Sequence, residues 1–135
     1  MSLIPSVRRR TATDWMCLIE AALLHMFVVA GLRTLTYPRL QRWCEHIARI
    51  PRRSPSSMSQ VMWAINAVSR RIGGATCLAE AAVAYTMLRR HGHDPRLRIG
   101  VRNGESALEA HAWVECDGIV VAGALPEMTG YAMLG

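Results

Sequence analysis

The apolar period of this chain changes once, and the change divides it. Before His91 the apolar residues recur at three- and four-residue spacing, the period of a helix packed along one face. From Arg96 they fall on every second position, in Arg96-Leu97-Arg98-Ile99-Gly100-Val101-Arg102, the period of a half-buried strand. Gly92 stops the last helix, whose final turn carries Arg89 and Arg90 where cations complement the negative helix end. Asn103-Gly104 and Asp117-Gly118 are tight-turn signals, so strands over Arg96–Arg102, Ala107–Cys116 and Ile119–Ala122 fold back on one another. The expected class is α+β, a helical N-terminal half followed by an antiparallel β meander. The 135 residues suit a single domain over 1–135, long enough to bury its own core. The tail from Met128 to Gly135 has no clear pattern.

The helical half reads as three elements before the last. Residues 1–10 end in Arg8-Arg9-Arg10 and read as a frayed basic arm. A buried helix is expected from about Asp14 to Leu32, capped by Thr11 or Thr13, with Leu18, Ala22, Met26 and Val29 inward and Met16 and Phe27 also in the core. Its apolar stretch from Ala21 to Gly31 is 11 residues, against about 20 for a bilayer span, so no membrane span is expected. A second helix runs from Pro38 to Ile47, with Leu40, Trp43, Cys44 and Ile47 on its buried face. Residues 50–56 form a linker by composition, and Ser57-Met58-Ser59-Gln60 opens a third helix with a capping box. Val61, Ala64, Ile65 and Val68 are its core face.

Chemistry gathers around Gly73-Gly74-Ala75-Thr76-Cys77-Leu78. The glycines end the preceding helix, Thr76 is a good N-cap, and Cys77 then opens the last helix. Unpaired N–H groups and the positive helix end there favour thiolate over thiol. In Ala110-His111-Ala112-Trp113-Val114-Glu115, parity puts His111, Trp113 and Glu115 on one face of the strand. A thiol and an imidazole meeting in one cleft are what cysteine proteases and acyltransferases need: the imidazole deprotonates the thiol, then protonates the leaving amine. The structural alternatives are a small buried cysteine and a strand histidine.

Charge and cysteine usage narrow the remaining classes. The net charge of +6 suits an anionic partner: nucleic acid, a membrane surface, or an acidic peptide or protein. A basic binding module would use Arg52, Arg53, Arg70, Arg71, Arg89 and Arg90, yet no nucleic-acid fold signature accompanies them. Cys17, Cys44, Cys77 and Cys116 lack the paired spacing of a zinc site and read as reduced thiols of a cytoplasmic protein. His91 and His93 are close in sequence, but their spacing with His111 or Cys116 makes no convincing metal set. No cofactor is expected.

Gly74-Ala75-Thr76-Cys77-Leu78, then Leu88-Arg89-Arg90-His91-Gly92, Leu97-Arg98-Ile99-Gly100-Val101 and Ala110-His111-Ala112-Trp113-Val114-Glu115, resemble in order the transglutaminase-like leader peptidase of lasso-peptide biosynthesis. The resemblance runs from about Ser69 to Val121. It implies a papain- or transglutaminase-like fold and a cysteine peptidase that removes the leader from a ribosomally made precursor, with Cys77 as nucleophile and His111 as base. It also implies partners: the leader region of the precursor, a small leader-recognition protein, and an ATP-dependent macrolactam cyclase. Acyl transfer would use the same two residues. The family's aspartate after the histidine strand has no counterpart, since the chain reads Val120-Val121-Ala122-Gly123. Asp117 is roughly 20 Å from His111 along extended backbone and Glu115 about 13 Å. That leaves Glu127, folding back from the tail, or a backbone carbonyl to orient the imidazole.

Overall fold

A computed structural model describes residues 12–52, 55–71, 76–103, 108–123 and 132–133. Four helices precede the sheet: α1 (Ala12–Thr34), α2 (Tyr37–Ala48), α3 (Met58–Ser69) and α4 (Cys77–Arg90). The strands are β1 (Pro95–Asn103), β2 (Leu108–Cys116), β3 (Ile119–Ala122) and the two-residue β4 (Ala132–Met133). The sheet is antiparallel in the order β3-β2-β1-β4. The expected α+β segregation and meander are borne out, and β4 adds a return of the unpatterned tail to the far edge of β1 at Gly100 and Val101.

Helix α4 is the central layer. It packs on α1, α2 and α3 on one side and on the sheet on the other. Small residues make that possible: Ala79, Ala81, Ala82 and Ala84 are buried, as are Val83, Met87 and Leu88. Ala112, Val114 and Cys116 of β2 join the same core, while His111, Trp113 and Glu115 alternate to the other face. Asp117 (φ 53°) and Gly118 (φ 78°) form the predicted β2–β3 turn, both residues in the left-handed region that a type I′ turn requires.

The expected inward face of α1 holds only in part. Leu18, Ala22 and Val29 are half-buried against the core as expected, but its fully buried line is Cys17, Ala21, Leu24, Val28 and Gly31, and Met16, Met26 and Phe27 face outward. The reason is polar. Asp14 accepts from Gln60 Nε2 at 2.6 Å, Glu20 accepts from Arg90 at 2.5 Å, and buried His25 meets Ser69 Oγ at 2.9 Å. Satisfying these groups turns the helix, since leaving them buried without partners costs more than exposing methyl groups. Thr13 lies inside the helix rather than capping it, and Thr11 lies outside the described residues. Trp43 of α2 is likewise exposed, although Leu40 and Cys44 are buried as expected.

Ser57 caps α3 by accepting from Gln60 N–H at 3.2 Å, but the Gln60 side chain serves Asp14 instead of the cap backbone. The expected linker has no regular structure where described, yet it is pinned. Ser56 is buried: its N–H donates to His91 Nδ1 at 2.9 Å and its carbonyl accepts from His93 Nε2 at 3.0 Å.

Candidate functional site

Thr76 takes an extended backbone (φ −93°, ψ 168°), and its hydroxyl accepts from Ala79 N–H at 3.1 Å, so α4 begins at Cys77 as its sequence indicates. Cys77 is half-buried, whereas Cys17, Cys44 and Cys116 are buried. Burial, with Glu45 nearby, outweighs a hydrogen bond from Thr86 and raises the Cys44 thiol; burial and then Asp117 raise the Cys116 thiol. Those two are held protonated, and Cys17 sits 3.3 Å from Ser56 Oγ. The accessible thiol is the one at the positive end of a helix.

His111 is buried in β2, and α4 packs against that strand. Helix α4 and the histidine strand are therefore packed together as elements; among the described residues, no hydrogen bond joins Cys77 Sγ to the ring. Nε2 of His111 lies 2.5 Å from the carbonyl oxygen of Gly123. A carbonyl can only accept, so Nε2 carries the proton and Nδ1 is the basic nitrogen of the neutral ring. The ring stacks on Trp113, centroids 6.1 Å apart and planes 20° from parallel. Trp113 Nε1 donates to Glu115 Oε1 at 2.9 Å, and Arg98 Nε stands 3.7 Å from the other carboxylate oxygen. Across the β1 ladder His111 faces Gly100, which leaves the ring room.

The irregularity between β2 and β3 sets this arrangement. Val114 pairs with Ala122 but Glu115 with Val120, so Val121 is an extra residue and the end of β3 is set back by one position along β2. Gly123 follows at φ 79°, where a Cβ would stand 2.7 Å from the Ala112 carbonyl oxygen. The backbone approaches so closely only because that residue is glycine. Among the expected orienting groups, Glu115 is engaged by Trp113 and Arg98, and Asp117 is exposed in its turn. Glu127 lies outside the described residues. The acceptor found is a carbonyl at the very position that lacks the aspartate.

The sequence puts Trp113 on the His111 face and Gly123 where the aspartate is missing, and it allows a backbone carbonyl as the orienting group, but it assigns neither residue a role. The alternation of His111 with Trp113 was visible and could have suggested the stack. The role of Gly123 is legible only once the bulge is known. His91 and His93, weighed as metal ligands, belong elsewhere: His91 Nε2 contacts Glu20 Oε1 at 2.9 Å, and His93 holds Ser56. A cavity of about 420 Å³ opens between α2, the later turns of α4 and the start of β1, and neither Cys77 nor His111 lines it.

No curated protein and no solved structure matches the chain. The family model described as the transglutaminase-like superfamily matches residues 28–134, from within α1 through the thiol helix, the histidine strand and the returning tail. With that match covering most of its length and the helix-then-sheet order in place, the chain belongs to the transglutaminase-like superfamily.

Proposed function

We propose that this protein is a cysteine peptidase that removes the leader from a ribosomally made lasso-peptide precursor, with Cys77 as nucleophile and His111 as general base and acid. The superfamily supports thiol-based acyl chemistry, in peptidases and acyltransferases alike. The observation that supports the role of His111 is its Nε2 contact with the Gly123 carbonyl, which holds the ring with Nε2 as the donor. In the proposed step Nδ1 takes the Cys77 proton and Sγ attacks the scissile carbonyl. The imidazolium then protonates the leaving amine, and water cleaves the thioester to release the leader acid and free the enzyme. An amine in place of water would make the same intermediate a transglutaminase-like acyl donor.

The proposed partners are the leader region of the precursor, a small leader-recognition protein that raises the local concentration of the scissile bond, and an ATP-dependent cyclase that consumes the freed amine. A cytoplasmic setting suits four free cysteines. The competing basic binding module loses two of its cations, because Arg90 lies 2.5 Å and Arg52 3.7 Å from Glu20. The test is cleavage of precursor by the wild type, Cys77→Ala and His111→Ala, read by mass spectrometry with and without the leader-recognition protein and with an added amine. Wild-type cleavage that the recognition protein accelerates, and that both substitutions abolish, is expected. Undiminished cleavage by Cys77→Ala ends the assignment.

A further inference from the structure

Helix α1 is apolar on both faces, and its polar side chains between Asp14 and Ala30 lie inward. Asp14, Glu20 and His25 face the core, while each exposed residue from Trp15 to Ala30 is apolar: Trp15, Met16, Ile19, Leu23, Met26, Phe27 and Ala30. Ile19, Leu23 and Met26 are each about 60 % exposed, and Trp15 is 57 % exposed. At 1.5 Å per residue the ridge is roughly 22 Å long. A groove of about 390 Å³ widens it, formed where Met16, Ile19, Leu23 and Phe27 meet Ile47 of α2, with the Glu20–Arg52–Arg90 cluster also lining it. Such a contiguous apolar face needs a cover.

Charge says what kind. Arg8, Arg9 and Arg10 precede the helix in the sequence, Arg33 lies in its last turn, and α2 and its C-cap expose Arg39, Arg42 and Arg49. The carboxylates of both helices are withdrawn, Asp14 and Glu20 buried and Glu45 half-buried. A second copy would set one group of arginines against another. An apolar ridge on a helix pair whose exposed charges are cationic matches acyl chains lying beneath phosphate headgroups. We infer that α1 seats this protein in the plane of an anionic lipid surface, with Trp15, Ile19, Leu23 and Met26 entering the acyl boundary and Arg33, Arg39, Arg42 and Arg49 on headgroup phosphates. At 23 residues, with an 18-residue window of mean hydropathy 1.9, α1 is long and apolar enough to cross a bilayer. Its inner side is instead tied to α3 and α4 through Gln60, Ser69, Arg90 and His91, so it lies flat. The inference stands independently of the peptidase reading.

The test is co-sedimentation of the full chain with vesicles of phosphatidylcholine alone or containing about 30 % phosphatidylglycerol. The wild type is expected to sediment with the anionic vesicles and to leave them as salt rises to about 0.5 M. Ile19→Glu and Leu23→Glu should each lower the partition at least about ten-fold, with unchanged circular dichroism and melting because both positions face solvent. Variants that sediment like the wild type would move the contact to another basic face and overturn the inference. A wild type that stays in the supernatant with anionic vesicles also overturns it, and sedimentation equilibrium of wild type and Leu23→Glu then shows whether a second copy covers the ridge or a different protein must.

Discussion

Gly123 meets two demands at once. Its φ of 79° is closed to most side chains, and its carbonyl is the acceptor for His111 Nε2. Gly123→Ala should therefore cost at least about 1–2 kcal/mol from the left-handed backbone, measurable by urea unfolding. It should also lower cleavage in the protein that remains folded, because the Cβ contact at 2.7 Å displaces the carbonyl. Asp117→Asn should leave both stability and cleavage within about 0.5 kcal/mol of wild type, since the residue is exposed and asparagine accepts the same φ. A carbonyl is neutral, so it orients the imidazole without the charge with which a carboxylate would stabilise imidazolium. Iodoacetamide provides a separate reading of the thiols. Under native conditions it should alkylate Cys77 first, followed by mass mapping, because Cys44 and Cys116 are buried with raised pKa values.

Among the elements, the helix caps have the most predictable energetics. Thr76→Ala and Ser57→Ala should each destabilise by about 0.5–2 kcal/mol in denaturant melts, through loss of the bonds to Ala79 N–H and Gln60 N–H. Both caps were legible in the sequence because a cap is decided within four residues. The strands were legible for the same reason: a two-residue period and an Asp-Gly turn are local facts. The orientation of α1 was legible only in part, with Leu18, Ala22 and Val29 against the core, because its exact rotation is decided by partners far along the chain. Glu20 is satisfied by Arg90 and His91, 70 and 71 residues away, and no periodicity within the helix encodes that choice. The role of Gly123 was hidden by the extra residue at Val121, which resets the β2–β3 register without leaving a turn signal. Of the candidate pair, the cap and the parity were readable; the acceptor that fixes the histidine tautomer required the folded sheet.

For the whole molecule, the Glu20 cluster ties α1 to the end of α4 and to the segment between α2 and α3. Glu20→Ala leaves Arg90, Arg52 and His91 with no carboxylate in a largely buried place, and a loss of about 3–5 kcal/mol in urea unfolding is expected. At high pH a different contact is tested. Burial, followed by a hydrogen bond to Glu45, pushes the Tyr85 phenol up to about 12 from 10.0. Folding therefore favours the neutral phenol: its contribution is complete below about pH 10 and is lost as pH rises through about 12. Tyr85→Phe should remove that alkaline component from the stability profile and the late step from the phenolate absorbance titration. The central position of α4 has a further consequence. The sheet's inner face and the helical layer share one wall, so neither half retains a closed core if the other opens. Residues 1–71 and 76–135, expressed as separate fragments, should each be collapsed but poorly ordered and should recover native circular dichroism only on mixing. A protease nick between those fragments would then leave a noncovalent pair whose survival depends on concentration, turning a property of one chain into an association constant.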